Sequence, residues 1–268
     1  MERVSAEGGK QFMTALKTKL MCHLVAGYPS WELSLQAAEA MVEGGAKYLE
    51  VQFPFSDPTA DGPKIQAACH RSLEVGFTVE KGFELVSALH RRFPQLPICL
   101  MSYASLLYRR GMLRFLTEAK KAGVFGLIVP DLPYDQDEGL FRGCWDKGLH
   151  PIAVVLPAIK ESRLKNLLVL LKGAGETYLY VALRTGITGQ ETKLADRNIN
   201  FLEKLKEKEF RAFAGFGIST SKQVSVLQPY VEAVVVGSFL VEVIEKSYLL
   251  GAEGLRHSVL DAVKSLLP

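Results

Sequence analysis

Short apolar runs rich in β-branched and aromatic residues alternate along this chain with longer stretches whose apolar residues recur every three or four positions. The short runs predict strands over Leu20–Ala26, Tyr48–Gln52, Ile98–Ser102, Gly126–Val129, Ile152–Leu156, Tyr178–Leu183, Ala212–Gly215 and Ala233–Val236. The longer periodic stretches predict helices over Trp31–Glu43, Val79–Phe93, Met112–Ala122, Asp135–Lys147, Glu161–Leu171 and Lys222–Leu227. A last helix runs from Phe239 toward Leu266, with Gly251 and Gly254 as places for a break. Most of the strand runs are continuously apolar rather than alternating, as in strands covered on both faces. Strand–helix alternation of this length builds parallel βαβ units, and eight of them fit the α/β class as a (β/α)8 TIM barrel. An open doubly wound sheet fits less well, because only Gly27 follows the first strand where a GxGxxG turn would stand.

No low-complexity linker or second composition regime divides the chain, so one barrel domain over residues 1–268 is expected. An extra helix at about residues 6–16 precedes the first strand, placed to plug the bottom of the barrel. The net charge of +3 arises from mixed acids and bases, not from the basic stripe of a nucleic-acid binder. No apolar run reaches the roughly 18–20 residues that cross a bilayer, and the N-terminus lacks the apolar core of a secretory signal. The cysteines Cys22, Cys69, Cys99 and Cys144 form no CxxC pair, which points to free thiols and a cytoplasmic location. Cys22–His23 and Cys69–His70 do not have zinc-site spacing, so no metal is expected.

Chemistry concentrates between Tyr48 and Gln66, where an apolar strand breaks into a loop containing Pro54, Pro58 and Pro63. Glu50 lies near the strand end and Asp61 on the loop behind it, two acids able to handle protons over one small substrate. In a barrel, strand ends and the loops after them build the active site. The seventh and eighth strands end in AGFGIS (214–219) and VVVGS (234–238), each opening directly into a helix. Free N–H groups at helix N-termini bind anions, and barrels often hold phosphate at this pair of loops. The polar stretch Arg184–Asp196 is long for a βα connection and reads as a lid. Two acids, a phosphate nest and a lid imply a phosphorylated small molecule undergoing acid–base chemistry without a metal.

The segment LEVQFPFSDPTADGPKIQAACHRSL resembles the signature of the tryptophan synthase α subunit. AGYP (26–29), MSYAS (101–105), VPDLP (129–133), RTGITG (184–189), GFGIS (215–219) and VGS (236–238) follow in that family's order. The resemblance implies a (β/α)8 barrel that cleaves indole-3-glycerol phosphate to indole and glyceraldehyde 3-phosphate, with no cofactor in this chain. It implies Glu50 as the proton shuttle, Asp61 as acceptor for the indole N–H, and Tyr180 beside the catalytic acid. Thr188 would orient Asp61, and Gly189, Gly217, Gly237 and Ser238 would surround the phosphate. Met101, Tyr103, Ile128, Phe216 and Val235 would line the indole slot, with His23 where the family commonly has phenylalanine. It also implies an α2β2 complex with a β subunit carrying pyridoxal phosphate (PLP), met by Asp57 and its flanking Pro54 and Pro58.

Several residues depart from the family around these positions, Val51 and Cys22 among them, and four bear on the pocket: Gln52, His23, Leu183 and Ser105. Gln52 shares a strand face with Glu50, so its side chain is expected to enter the pocket. Beside the lyase reading these departures set a second one, an α subunit of impaired catalysis that acts mainly as an allosteric activator of its β partner.

Overall fold

The computed structural model describes residues 18–172, 176–183, 196–215 and 217–268. Eight parallel strands close into a barrel in chain order: β1 (Leu20–Val25), β2 (Tyr48–Gln52), β3 (Ile98–Met101), β4 (Gly126–Ile128), β5 (His150–Val155), β6 (Tyr178–Ala182), β7 (Arg211–Gly215) and β8 (Ala233–Val236). β8 returns to pair with β1, so the sheet has no edge. Helices lie between successive strands: α1 (Trp31–Glu43), α2 (Pro63–Glu74), α3 (Val79–Arg92), α4 (Ala104–Arg110), α5 (Met112–Ala122), α6 (Leu140–Asp146), α7 (Glu161–Lys172), α8 (Asp196–Glu207) and α9 (Ser221–Leu227). After β8, α10 (Ser238–Ser247) and α11 (Gly251–Leu266) complete the chain, and no described helix is long and apolar enough to cross a membrane. The predicted break near Gly251 is real, since this residue has φ +77, a conformation glycine tolerates.

All eight predicted strands form, within two residues at each end. Helices α2, α4 and α8 escape the sequence reading. The start of α2 is marked by Pro63 in the first turn, where proline fits a helix, but its turns are largely polar. The predicted helix over 135–147 divides into a 3-10 turn (Tyr134–Gln136) and α6, separated by Glu138 and Gly139 at positive φ. The expected N-terminal helix at residues 6–16 lies outside the described residues.

Alternation along β2 decides what enters the barrel. Leu49 and Val51 join the outer core against the helices, whereas Tyr48 joins the inner one. Glu50 and Gln52 share the face of Tyr48. The lower interior is filled by Tyr48, Tyr178 and Phe213, with Phe213 4.9 Å from the Tyr48 ring and stacked at 5.3 Å on Tyr178. Both tyrosine hydroxyls find acceptors at the N-terminal rim, Tyr48 on Glu232 at 2.8 Å and Tyr178 on Glu176 at 2.9 Å. This aromatic plug closes the bottom and leaves space only toward the C-terminal ends of the strands.

The loop between β2 and α2 is anchored at its start, and the helix it leads into is tied to β1. Phe53 at its start is wholly buried among Phe77, Phe83 and Phe115, and Gly82 gives it room, since a Cβ there would lie 2.5 Å from the Phe53 ring. In the last turn of α2, Ser72 donates from Oγ to the Ala26 carbonyl at 2.7 Å, tying the helix to the exit of β1. Gly27 permits that approach, because an added Cβ would lie 2.9 Å from Ser72 Oγ. Ser72→Ala would leave the buried Ala26 carbonyl without this donor and is expected to destabilise the fold by about 1–3 kcal/mol. Urea unfolding checks this; an unchanged midpoint would show that the tie is dispensable.

Candidate active site

A cavity of about 460 Å³ opens at the C-terminal ends of the strands. Every strand contributes to it directly or through the loop that follows: His23 from β1, Glu50 from β2, Met101 from β3, Ile128 from β4, Val154 from β5, Tyr180 from β6, Gly217 after β7 and Val235 from β8. Asp61 reaches it from the loop after β2, and Gly237 and Ser238 from the start of α10. The sequence thus places Glu50, Asp61, His23, Met101, Ile128, Tyr180, Gly217, Val235, Gly237 and Ser238 in one site, and the structure brings all ten together.

Glu50 is 3 % exposed, and its Oε2 has no hydrogen-bond partner. Strand pairing sets His23 opposite it, with Nδ1 3.4 Å from Oε2. Burial works against charge on His23, but the Glu50 carboxylate, with help from Asp61, overrides it and raises the imidazole above its usual value of 6.5. Tyr180 is pushed well upward, by burial first and then by the charges of Glu50 and Asp61, so its phenol stays protonated. Asp61 is 6 % exposed and takes two hydrogen bonds on one oxygen, from Gln52 Nε2 and Tyr103 Oη, each at 2.7 Å to Oδ2. Burial raises its pKa above the usual 3.8 despite these donors and the nearby His23. A carboxylate with one oxygen fixed by neutral donors is held in place to accept a hydrogen bond from a bound molecule with the other.

The helix starts at the top of the barrel differ. The N-terminus of α9 is occupied by its own capping box: Gln223 Oε1 accepts from Ser219 N at 2.9 Å and Thr220 N at 3.2 Å. The N-terminus of α10 carries Gly237 as its N-cap and no side-chain cap, and both Gly237 and Ser238 face the cavity. Uncapped amides beside a cavity suit an anion. The site is therefore polarised, with carboxylates from β2 and its loop on one side and free N–H groups on the other. Among the described residues no cluster of three His, Cys, Asp or Glu side chains could hold a metal.

Some expected positions behave differently. Tyr103 does not line the cavity; it is 1 % exposed, stacks on Phe55 at 5.1 Å and acts through Asp61. Gln52 does not enter the pocket either. It is wholly buried and turned to Asp61 Oδ2 and, at 3.4 Å, to Cys69 Sγ, because its amide finds acceptors behind the loop. Leu183 is buried in the outer core and Ser105 is exposed on α4, so of the four departures only His23 borders the cavity. On the outer surface of the loop Asp57 is exposed, whereas Pro54 and Pro58 are buried within this chain. Thr188, Gly189, Phe216 and most of the proposed lid (184–195) lie outside the described residues.

The cavity also uses residues that the sequence reading passed over: Thr59, Ala60, Ile65, Pro130, Val154, Leu156 and Ala182. A period of two was the available signal, since Val154 and Leu156 continue the inward face of Ile152, and Ala182 that of Tyr180.

A family model described as tryptophan synthase alpha chain matches residues 10–263. Similar proteins include the tryptophan synthase alpha chain of Helicobacter hepaticus, 38% identical over 86% of this chain and 87% of the relative. That of Methanosarcina acetivorans is 38% identical over 85% and 81%. Among solved structures, the tryptophan synthase α2β2 complex of Pyrococcus furiosus contains a chain that superposes with a TM-score of 0.82, at 30% identity, covering 93% of this chain and 98% of that one.

Because Asp61 holds its proton more tightly folded than unfolded, its contribution to stability falls as pH rises from 3.8 through the raised folded-state value. Asp61→Asn keeps an acceptor for Tyr103 and Gln52 while removing the buried charge. At neutral pH this variant is expected to be more stable than the parent by on the order of 1 kcal/mol, with the gain vanishing in acid. Denaturant midpoints at neutral pH and well below the usual carboxylate pKa test this; a less stable variant at neutral pH would reverse the sign.

Proposed function

The chain belongs to the tryptophan synthase alpha chain family, which catalyses the lyase half-reaction of tryptophan synthesis; from that premise we propose that Glu50 and Asp61 of this chain cleave indole-3-glycerol phosphate by acid–base chemistry. The observation that carries this reading is the pairing of two buried carboxylates with an uncapped helix N-terminus across one cavity. The amides of Gly237 and Ser238, with the turn at Gly217, would take the phosphate. The indole would lie against Met101, Ile128 and Val235, its N–H directed at Asp61.

In this arrangement Glu50 delivers a proton to C3 of the indole, which becomes tetrahedral while positive charge develops at the ring nitrogen. Asp61 accepts a hydrogen bond from that N–H and stabilises the charge where it forms. Glu50, now a carboxylate, takes the proton from the side-chain hydroxyl on the carbon attached to C3. That oxygen becomes the aldehyde of glyceraldehyde 3-phosphate as the carbon–carbon bond breaks. The bond's electron pair returns to the ring, restoring aromatic indole. Tyr180, kept protonated beside Glu50, orients the carboxyl.

We also propose that the chain assembles with a β subunit in an α2β2 complex, as the Pyrococcus furiosus protein does. PLP would reside in that partner, the exposed Asp57 side of the β2–α2 loop would face it, and the assembly would work in the cytoplasm. The second reading, an impaired subunit serving as activator, rested on departures crowding the pocket. With Gln52 turned behind Asp61, and Leu183 and Ser105 elsewhere, the lyase reading stands ahead of it.

Glu50→Gln is expected to lower release of glyceraldehyde 3-phosphate from indole-3-glycerol phosphate by about 10²–10⁴-fold, with or without a β subunit. Turnover by the variant equal to the parent's would overturn the assignment of Glu50.

A further inference from the structure

His23 has a place in the site that the lyase steps above do not use. Its ring is 3 % exposed and lines the cavity. Nδ1 faces Glu50 Oε2 at 3.4 Å, whereas the buried Nε2 has no hydrogen-bond partner. Gly237 stands beside the base of the ring, with its pro-Cβ position 3.7 Å from His23 Cγ, so the imidazole neighbours the uncapped start of α10 as well as the carboxylate.

The charge balance of the cavity sharpens this. Two acids, Glu50 from β2 and Asp61 from the following loop, face the histidine. The neighbouring thiols of Cys69 on α2 and Cys99 on β3 are pushed up by burial, as is the phenol of Tyr180 on β6, so all three are neutral. The residues of β8 and α10 that reach the cavity, Val235, Gly237 and Ser238, carry no charge. No described lysine or arginine lines the cavity. A phosphate monoester entering this space would add negative charge to two buried carboxylates, which is unfavourable without a cation.

We propose that His23, as an imidazolium, is a positioning and specificity-determining residue of this cavity: its Nδ1–H orients the Glu50 side chain and stabilises the carboxylate that forms once Glu50 has given its proton to C3, and its Nε2–H donates to an oxygen of the phosphorylated side chain of the substrate. The inference rests on the lyase reading for the identity of that substrate. The ion pair itself does not depend on it. A buried Nε2 without a partner is costly unless a ligand atom meets it, and a phosphate held at the start of α10 would share the cavity that His23 lines.

The test has one readout independent of turnover. Ring titration of His23 is followed by NMR in the parent and in Glu50→Gln, with His23→Phe identifying the signal and inorganic phosphate as the probe. In the parent the ring is expected to titrate above its usual 6.5. Glu50→Gln is expected to lower that value, and phosphate to raise it in the parent, each by on the order of one pH unit. A ring that titrates alike in parent and Glu50→Gln overturns the pair; one unmoved by saturating phosphate overturns the donor role.

With indole-3-glycerol phosphate, the parent's kcat/KM is expected to fall on the alkaline side as the imidazolium loses its proton. In His23→Phe that limb disappears. His23→Gln, a neutral donor, is expected to recover part of kcat without restoring the alkaline limb. Profiles that superpose for parent and His23→Phe, with a change in KM alone, would reduce His23 to a wall residue. Equal turnover by the parent and Glu50→Gln would instead strike the lyase reading and leave the ring titration to decide the pair.

Discussion

Two carboxylates buried by the surrounding protein share one cavity, and much of the upper barrel is arranged around making that tolerable. Burying one ionised acid in an apolar surrounding is expensive, and burying two side by side adds their repulsion. Each is met differently. Glu50 faces a histidine on the neighbouring strand, while Asp61 is gripped on one oxygen by Gln52 and Tyr103. The compensation is incomplete, since Glu50 Oε2 and His23 Nε2 remain without hydrogen-bond partners. Unsatisfied buried atoms gathered at one place mark where a ligand completes the set.

Support for this arrangement comes from below and behind. Phe213, edge-on to Tyr48 and stacked on Tyr178, fills the lower barrel with them, and the two tyrosines send their hydroxyls to acids at the opposite rim, so the cavity has an apolar floor. The Asp61 loop leaves β2 through Phe53, set in a nest of aromatic rings, and enters α2, which Ser72 ties back to β1. The Asp61 loop is thereby fixed by packing where it leaves β2 and continues into a helix tied to β1, independently of the hydrogen bonds on the Asp61 side chain. Catalysis that depends on ångström-scale placement needs rigidity of this kind.

Gln52 shows how a face assignment from strand period can be right and its consequence wrong. The side chain does point to the barrel interior with Glu50, as alternation requires. What alternation does not contain is the loop folding back over the strand end, which offers Asp61 and Cys69 as partners and turns the amide away from the cavity. Leu183 and Ser105 fail for a related reason. Both adjoin motif residues in sequence, but one faces the outer helices and the other solvent, and adjacency in the chain does not decide the side of the barrel wall.

The eight apolar runs determined the strands and their number, because strands buried on both faces must be apolar throughout and so stand out against amphipathic helices. The loop FSDPTADGP and the paired glycine turns determined the site's chemistry class, since their side-chain types are intrinsic to the residues. Helix α2 and the two-part α6 were less legible, being short, polar or broken by turn residues whose effect depends on neighbours. Only the tertiary structure decided which groups meet: that His23 lies against Glu50, that Tyr103 serves Asp61 rather than the cavity wall, and that α10 is left uncapped while α9 caps itself. These are contacts between residues distant in the chain, set by strand register and loop packing. The resulting shifts at His23 and Asp61 come from burial and from those neighbours, neither of which exists before the barrel closes.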